Sequence, residues 1–183
     1  MKLLNVIDFG SEDFKRISLD CQQFIEESQG QPLVKWCSSS YPDVHRVKVR
    51  KRKKRDNFDE VFNQAFDAEY PSVRNRSIIV NDDKKNESDE PFFVFPSDGY
   101  KFLYAPNIGH SKRQYGATLE GMRSSLKDDE SSLSMLRDIL QYSYRQDNLK
   151  FAILEKVEII IYNIPYFYVV RGVTPYNKIL EYI

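Results

Sequence analysis

Apolar residues recur at helical spacing in three stretches of the chain. Phe14, Ile17, Cys21, Phe24 and Ile25 lie three or four positions apart, behind Ser11 and ahead of Gly30. A serine that can cap and a glycine that can close a helix predict an amino-terminal helix over 11–29. Phe58, Val61, Phe62, Ala65 and Phe66 form a second stripe behind the pair Asn57 and Glu60, with Pro71 as its stop. That pair reads as a capping box and the stripe as a core-facing helix. Leu133, Leu136, Ile139, Leu140 and Tyr144 mark a third helix.

Between these stretches the pattern changes to short extended runs: 33–37, the alternating 44–52, 76–80, 92–95, 100–104, 157–162 and 166–170. Pro96-Ser97-Asp98-Gly99 is a turn sequence, so the runs on either side of it are expected to form a hairpin. The runs around Asn163-Ile164-Pro165 are expected to form a closing hairpin in the same way. Residues 81–90 contain no apolar side chain and predict an exposed polar loop. Residues 105–130 mix polarities around Gly109, Gly116 and Gly121, which predicts a long surface segment with at most one short helix. The order of elements predicts a single α+β domain over 1–183, with a mostly antiparallel sheet and about three helices.

Composition narrows the class. A chain of 183 residues fits one domain that buries roughly two-thirds of its unfolded surface. Twelve Tyr and twelve Phe predict ring-rich cores and clefts. Twenty-seven basic and twenty-seven acidic residues cancel, which excludes a global attraction to nucleic acid or membrane and leaves only local patches. Cys21 and Cys37 share no CxxC spacing, and His45 and His110 stand apart from them and from each other, so no zinc spacing exists. Two idle thiols are expected rather than a disulfide. No apolar run approaches the roughly 18 residues of a membrane span, and the first ten residues are too short and polar for a signal peptide. The expected compartment is a reducing cytoplasm, with no membrane partner and no metal.

One patch stands out. Residues 46–55 carry eight Lys or Arg residues. Side chains alternate faces along a strand, so Arg46, Lys48, Arg50 and Arg52 would share one face while His45, Val47 and Val49 point inward. Cations roughly 7 Å apart suit the phosphates of a single strand or a dinucleotide. The plainer role is a solvated edge strand whose charges discourage pairing with other chains. The acidic residues of 82–90 could also neutralise the patch within the molecule. No aromatic residue interleaves 46–55, which argues against a base-stacking platform.

Three further segments carry a resemblance. Arg74-Asn75-Arg76-Ser77-Ile78-Ile79-Val80-Asn81, the stretch from Phe93-Val94-Phe95-Pro96 through Gly99-Tyr100-Lys101-Phe102, and Glu158-Ile159-Ile160-Ile161 followed by Tyr166-Phe167-Tyr168 resemble a family of phage-encoded proteins with mono-ADP-ribosyltransferase-like domains. The likeness covers roughly 44–170. It implies an ADP-ribosyltransferase-like fold, NAD as cofactor, and transfer of ADP-ribose to a host protein in the host cytoplasm.

In such a site a carboxylate stabilises the oxocarbenium-like ribose, a cation holds the phosphates and a ring stacks on nicotinamide. The resemblance assigns these roles to Glu158 as stabiliser, Asn81 as its support, Lys35 or Arg74 on the phosphates, and Tyr166 or Tyr168 as the ring platform. Lys35 stands where the family has Arg, Asn81 where it has Ser or Thr, and Lys156 where it has Glu or Gln. The alternative is a non-enzymatic binding or inhibitory module acting on a host protein or nucleic acid through Arg46, Lys48, Arg50 and Arg52; a virion component is a third. Convergence of Glu158, Asn81 and Lys35 on one cleft separates the first reading from the others.

Overall fold

A computed structural model describes residues 11–40, 42–50, 57–66, 73, 74, 76–81, 86–106, 108, 111–125 and 129–172. In chain order the elements are α1 (Ser11–Asp20), α2 (Gln22–Ser28), β1 (Leu33–Ser38), β2 (Val44–Lys48), α3 (Asn57–Phe66), β3 (Ser77–Val80), β4 (Asp89–Pro96), β5 (Lys101–Tyr104), α4 (Ser111–Ser125), α5 (Asp129–Ser143), α6 (Leu149–Leu154), β6 (Ile159–Tyr162) and β7 (Tyr166–Arg171). The α+β class stands; among the described residues there are two antiparallel sheets where one was expected and six helices where about three were expected.

The four-stranded sheet runs β1-β4-β7-β2 and the three-stranded sheet β3-β6-β5. This corrects both predicted hairpins. β4 pairs with β1 and β7, whereas β5 pairs with β6; β7 in turn lies in the four-stranded sheet and β6 in the three-stranded one. The turns at 97–100 and 163–165 are therefore corners that carry the chain from one sheet to the other. Turn chemistry fixes a change of direction and leaves the receiving sheet open.

Each face of the three-stranded sheet has its own core. Ile159 and Ile161 join an apolar cluster that runs through Ile78 and Val80, the four-stranded sheet, and Phe14, Ile17, Phe24 and Ile25 of α1 and α2. Ile160 and Tyr162, alternating to the opposite face, pack with Phe58, Phe62, Leu136 and Leu140 of the helical layer α3 and α5 and with Tyr144 just past α5. All four residues of β6 are buried, which is why it reads as a continuous apolar run.

The predicted amino-terminal helix is interrupted at Cys21, for an identifiable reason. Asp98, in the corner between β4 and β5, donates its N–H to the Asp20 carbonyl at 2.8 Å and accepts from the Gln23 N–H at 2.9 Å. A side chain entering the helical ladder breaks it there, while the bonds from Cys21 N to Ile17 O and from Ile25 N to Cys21 O carry the chain across. Gln29 takes the left-handed C-cap at φ 49°, and Gly30 follows at φ 79°.

Two helices lie where the sequence suggested none or little. α4 occupies fifteen residues of the expected surface segment, and α6 is started by Asn148, whose side chain accepts from the Phe151 N–H at 3.1 Å. Of the expected polar loop, residues 82–85 lie outside the described residues, and Asp89 and Glu90 already belong to β4. No helix among the described residues is long and apolar enough to cross a membrane.

Candidate functional site

The residues singled out from the sequence fall into three groups. The first is a buried polar cluster between the three-stranded sheet and the helices. Arg74, just before β3, donates through Nε to Asp59 Oδ1 of α3 at 2.8 Å and through Nη1 to Ser111 Oγ at 2.9 Å. Its Nη1 also lies 3.5 Å from Glu158 Oε1, and Ser111 Oγ donates to the same oxygen. The guanidinium centre sits 5.1 Å from the ring centroids of both Phe58 and Phe62. The Asn63 side-chain oxygen accepts from the Arg74 N–H at 2.8 Å.

Two carboxyl groups thus share one guanidinium in a space that excludes water: Arg74, Glu158 and Ser111 are 2%, 3% and 0% exposed. Tyr144 closes the cluster, its hydroxyl pKa raised above 10.0 chiefly by burial. Such a pair contributes through the cost of breaking it, since either charge left alone would be buried without a partner. Arg74 and Glu158, assigned separately by the resemblance, do meet.

The second group is the seam between the sheets. Lys35 of β1 donates from Nζ to the Ile79 carbonyl of β3 at 2.8 Å. Asn81, at φ 56°, donates its N–H to the Val34 carbonyl at 2.7 Å and accepts from the Val34 N–H through Oδ1 at 3.2 Å. Asn81 follows Val80, which pairs with Ile159, so the backbone brings Asn81 close to the strand that Glu158 precedes. Its side-chain oxygen nevertheless turns to β1.

The third group lies against α1. Asp20 Oδ2 accepts from Tyr166 Oη at 3.1 Å and from Tyr168 Oη at 2.6 Å. Both hydroxyls have raised pKa values, from burial first and the Asp20 hydrogen bond second. The rings are nearly perpendicular, 84°, at 5.8 Å.

Placed this way, the side chains fall on separate parts of the fold. Glu158 and Arg74 are sealed on the helical side, Lys35 and Asn81 knit the sheet edges, and the two tyrosines are held by the first helix.

The basic run is arranged differently. β2 is one of the two outer strands of the four-stranded sheet among the described residues, β1 being the other. Arg46, Lys48 and Arg50 are exposed, while Val47 and Val49 are half-buried against the core. Arg52 lies outside the described residues. His45, also half-buried, has a lowered pKa, from burial against a smaller opposing effect of a hydrogen bond to the Pro42 backbone.

Arg171 holds Asp43 at 2.7 Å and also pairs with Glu90. Among the described residues, Arg46, Lys48 and Arg50 form no ion pair.

The run 46–55 itself contains no aromatic residue. Aromatic residues do accompany the basic strand, supplied by the neighbouring strand instead of the run itself. Antiparallel pairing sets Tyr168 opposite Arg46 and Tyr166 opposite Lys48, and the Arg46 guanidinium lies 5.0 Å from the Tyr166 ring centroid. Residues opposite each other in a sheet share a face.

Sequence reasoning missed Asp59, Ser111 and Asp20. Asp59 carried a faint signal, an acid set inside an apolar helical stripe; the other two carried none before the fold was known. Comparison of the chain with protein-family models, curated proteins and solved structures finds no match.

Proposed function

We propose that this protein binds a nucleic-acid backbone along the outer strand β2. The observation that carries the reading is the row of Arg46, Lys48 and, just past the strand, Arg50, all exposed and without an ion pair among the described residues, in a chain whose total charge is zero. A balanced protein that leaves three cations in line has a local positive field, which attracts phosphate and releases its counterions on binding. Charges on an outer strand also keep other strands from pairing there, a role compatible with this one. The test is the salt dependence of binding to an oligonucleotide. Three phosphate contacts give a log–log slope of about −2 on single strands. No binding at roughly 50 mM salt returns the strand to a solvated edge.

A second reading, an NAD-dependent ADP-ribosyltransferase of phage type, is favoured by one observation, the contact between Arg74 and Glu158. The burial of both residues weighs against it. Calorimetry with NAD separates the two readings: heat at millimolar NAD favours the transferase, and its absence leaves binding alone.

A further inference from the structure

We infer that the nucleic acid bound at β2 is single-stranded and stacks a base on the Arg46–Tyr166 pair. This rests on the backbone-binding reading above and adds the chemistry that selects the ligand.

Three features of the face point to stacking. A ring and a guanidinium lie one over the other, 5.0 Å apart, beside the exposed Lys48. Tyr166 is fixed at two points, by its hydroxyl on Asp20 and by the edge-on Tyr168 ring, so little side-chain freedom is left to lose on binding. Arg46 is exposed while Tyr166 is only partly so, which puts the guanidinium on the solvent side of the pair. Planar guanidinium and aromatic groups are the surfaces on which unpaired bases stack, and every base has such a face.

The geometry also disfavours a duplex. One line of cations follows one backbone, and a duplex keeps its base faces inside the stack. Asp20 is the acidic group in contact with this pair, and it accepts hydrogen bonds from both tyrosines.

Heparin and a short oligothymidylate separate charge from stacking, since heparin has anionic groups and no bases. Binding of each is measured by fluorescence anisotropy for the full chain, Tyr166→Leu and Arg46→Lys. Leucine keeps an apolar β-strand residue and removes the ring; lysine keeps the charge and removes the plane. Tyr166→Leu is expected to lose on the order of tenfold in affinity for oligothymidylate and to stay within about twofold on heparin, and Arg46→Lys, which also alters a phosphate contact, to lose more on oligothymidylate than on heparin. Equal losses on the two polyanions, or no loss on oligothymidylate in either variant, overturn stacking and leave the backbone reading standing. Failure of the unsubstituted chain to bind either polyanion overturns both.

Discussion

Arg74 and Glu158, 84 positions apart in the chain, meet at 3.5 Å with 2% of each side chain exposed. Asp59 lies on the Nε side of the same guanidinium, so one cation serves two carboxyl groups. Removing the cation differs from removing one carboxyl. Arg74→Met leaves two buried acids without their partner and is expected to cost about 3–5 kcal/mol of unfolding free energy. Glu158→Gln keeps the shape and a polar partner for Ser111 and leaves Arg74 its bond to Asp59; its expected cost is about 1 kcal/mol or less. Urea denaturation of both variants checks this. Equal costs would show that the cluster depends on Glu158 as much as on Arg74.

Alkaline pH tests the buried hydroxyls. Tyr100, Tyr144 and Tyr168 all have pKa values raised above 10.0, each chiefly by burial, with Glu27 adding to the shift at Tyr100 and Asp20 at Tyr168. The folded protein holds protons that the unfolded chain releases. Their stabilisation is complete below pH 10.0 and falls as pH rises above it towards the folded values. The urea midpoint should therefore drop between about pH 9 and about pH 11. Tyr168→Phe, which removes one such group, should make the drop shallower. A midpoint flat across that range would contradict the burial of these hydroxyls.

The two thiols should differ in reactivity. Both are free, but Cys21 is buried, with Sγ 3.7 Å from the Phe95 carbonyl, and Cys37 is only half-buried. The pKa of Cys21 is raised above 9.0, first by burial and then by the charges of Asp98 and Asp20. Thiolate is the reactive form, so a disulfide reagent should label Cys37 in the native protein and Cys21 only after unfolding. Reductant should leave the melting temperature unchanged. Rapid native labelling of Cys21 would mean that α1 and α2 open readily.

What the sequence made legible was local. The stripe of Phe58, Val61 and Phe62 announced α3, and the run from Ile159 to Ile161 announced β6, because burial on one or both faces writes itself into spacing. Gly116 and Gly121 and a largely polar sequence hid α4, a fifteen-residue helix, because in proteins most helical stability comes from packing and not from propensity. The site is a long-range object. Nothing near Arg46 announces Tyr166, and nothing near Arg74 announces Ser111; strand pairing and helix docking bring them together. The alternation of Arg46, Lys48 and Arg50 could be read in advance, whereas the ring beside them needed the β2–β7 register.

That register yields the sharpest test of where the protein binds. Arg46→Gln with Lys48→Gln and, separately, Lys101→Gln with Arg145→Gln remove the same number of charges from exposed positions. Only the first pair lies on β2; Lys101 begins β5 in the other sheet, and Arg145 pairs with Tyr104 at the end of that strand. If attraction came from overall charge, the two double variants would weaken oligonucleotide binding alike. If the line of cations makes the contacts, the first pair should reduce the magnitude of the salt slope by about 1.4, at about 0.7 per lost phosphate contact, and the second should leave it unchanged. Slope is the better readout than affinity at one salt concentration, because it counts contacts directly and is insensitive to small changes in stacking. Equal slopes in the two variants would remove β2 from the binding surface.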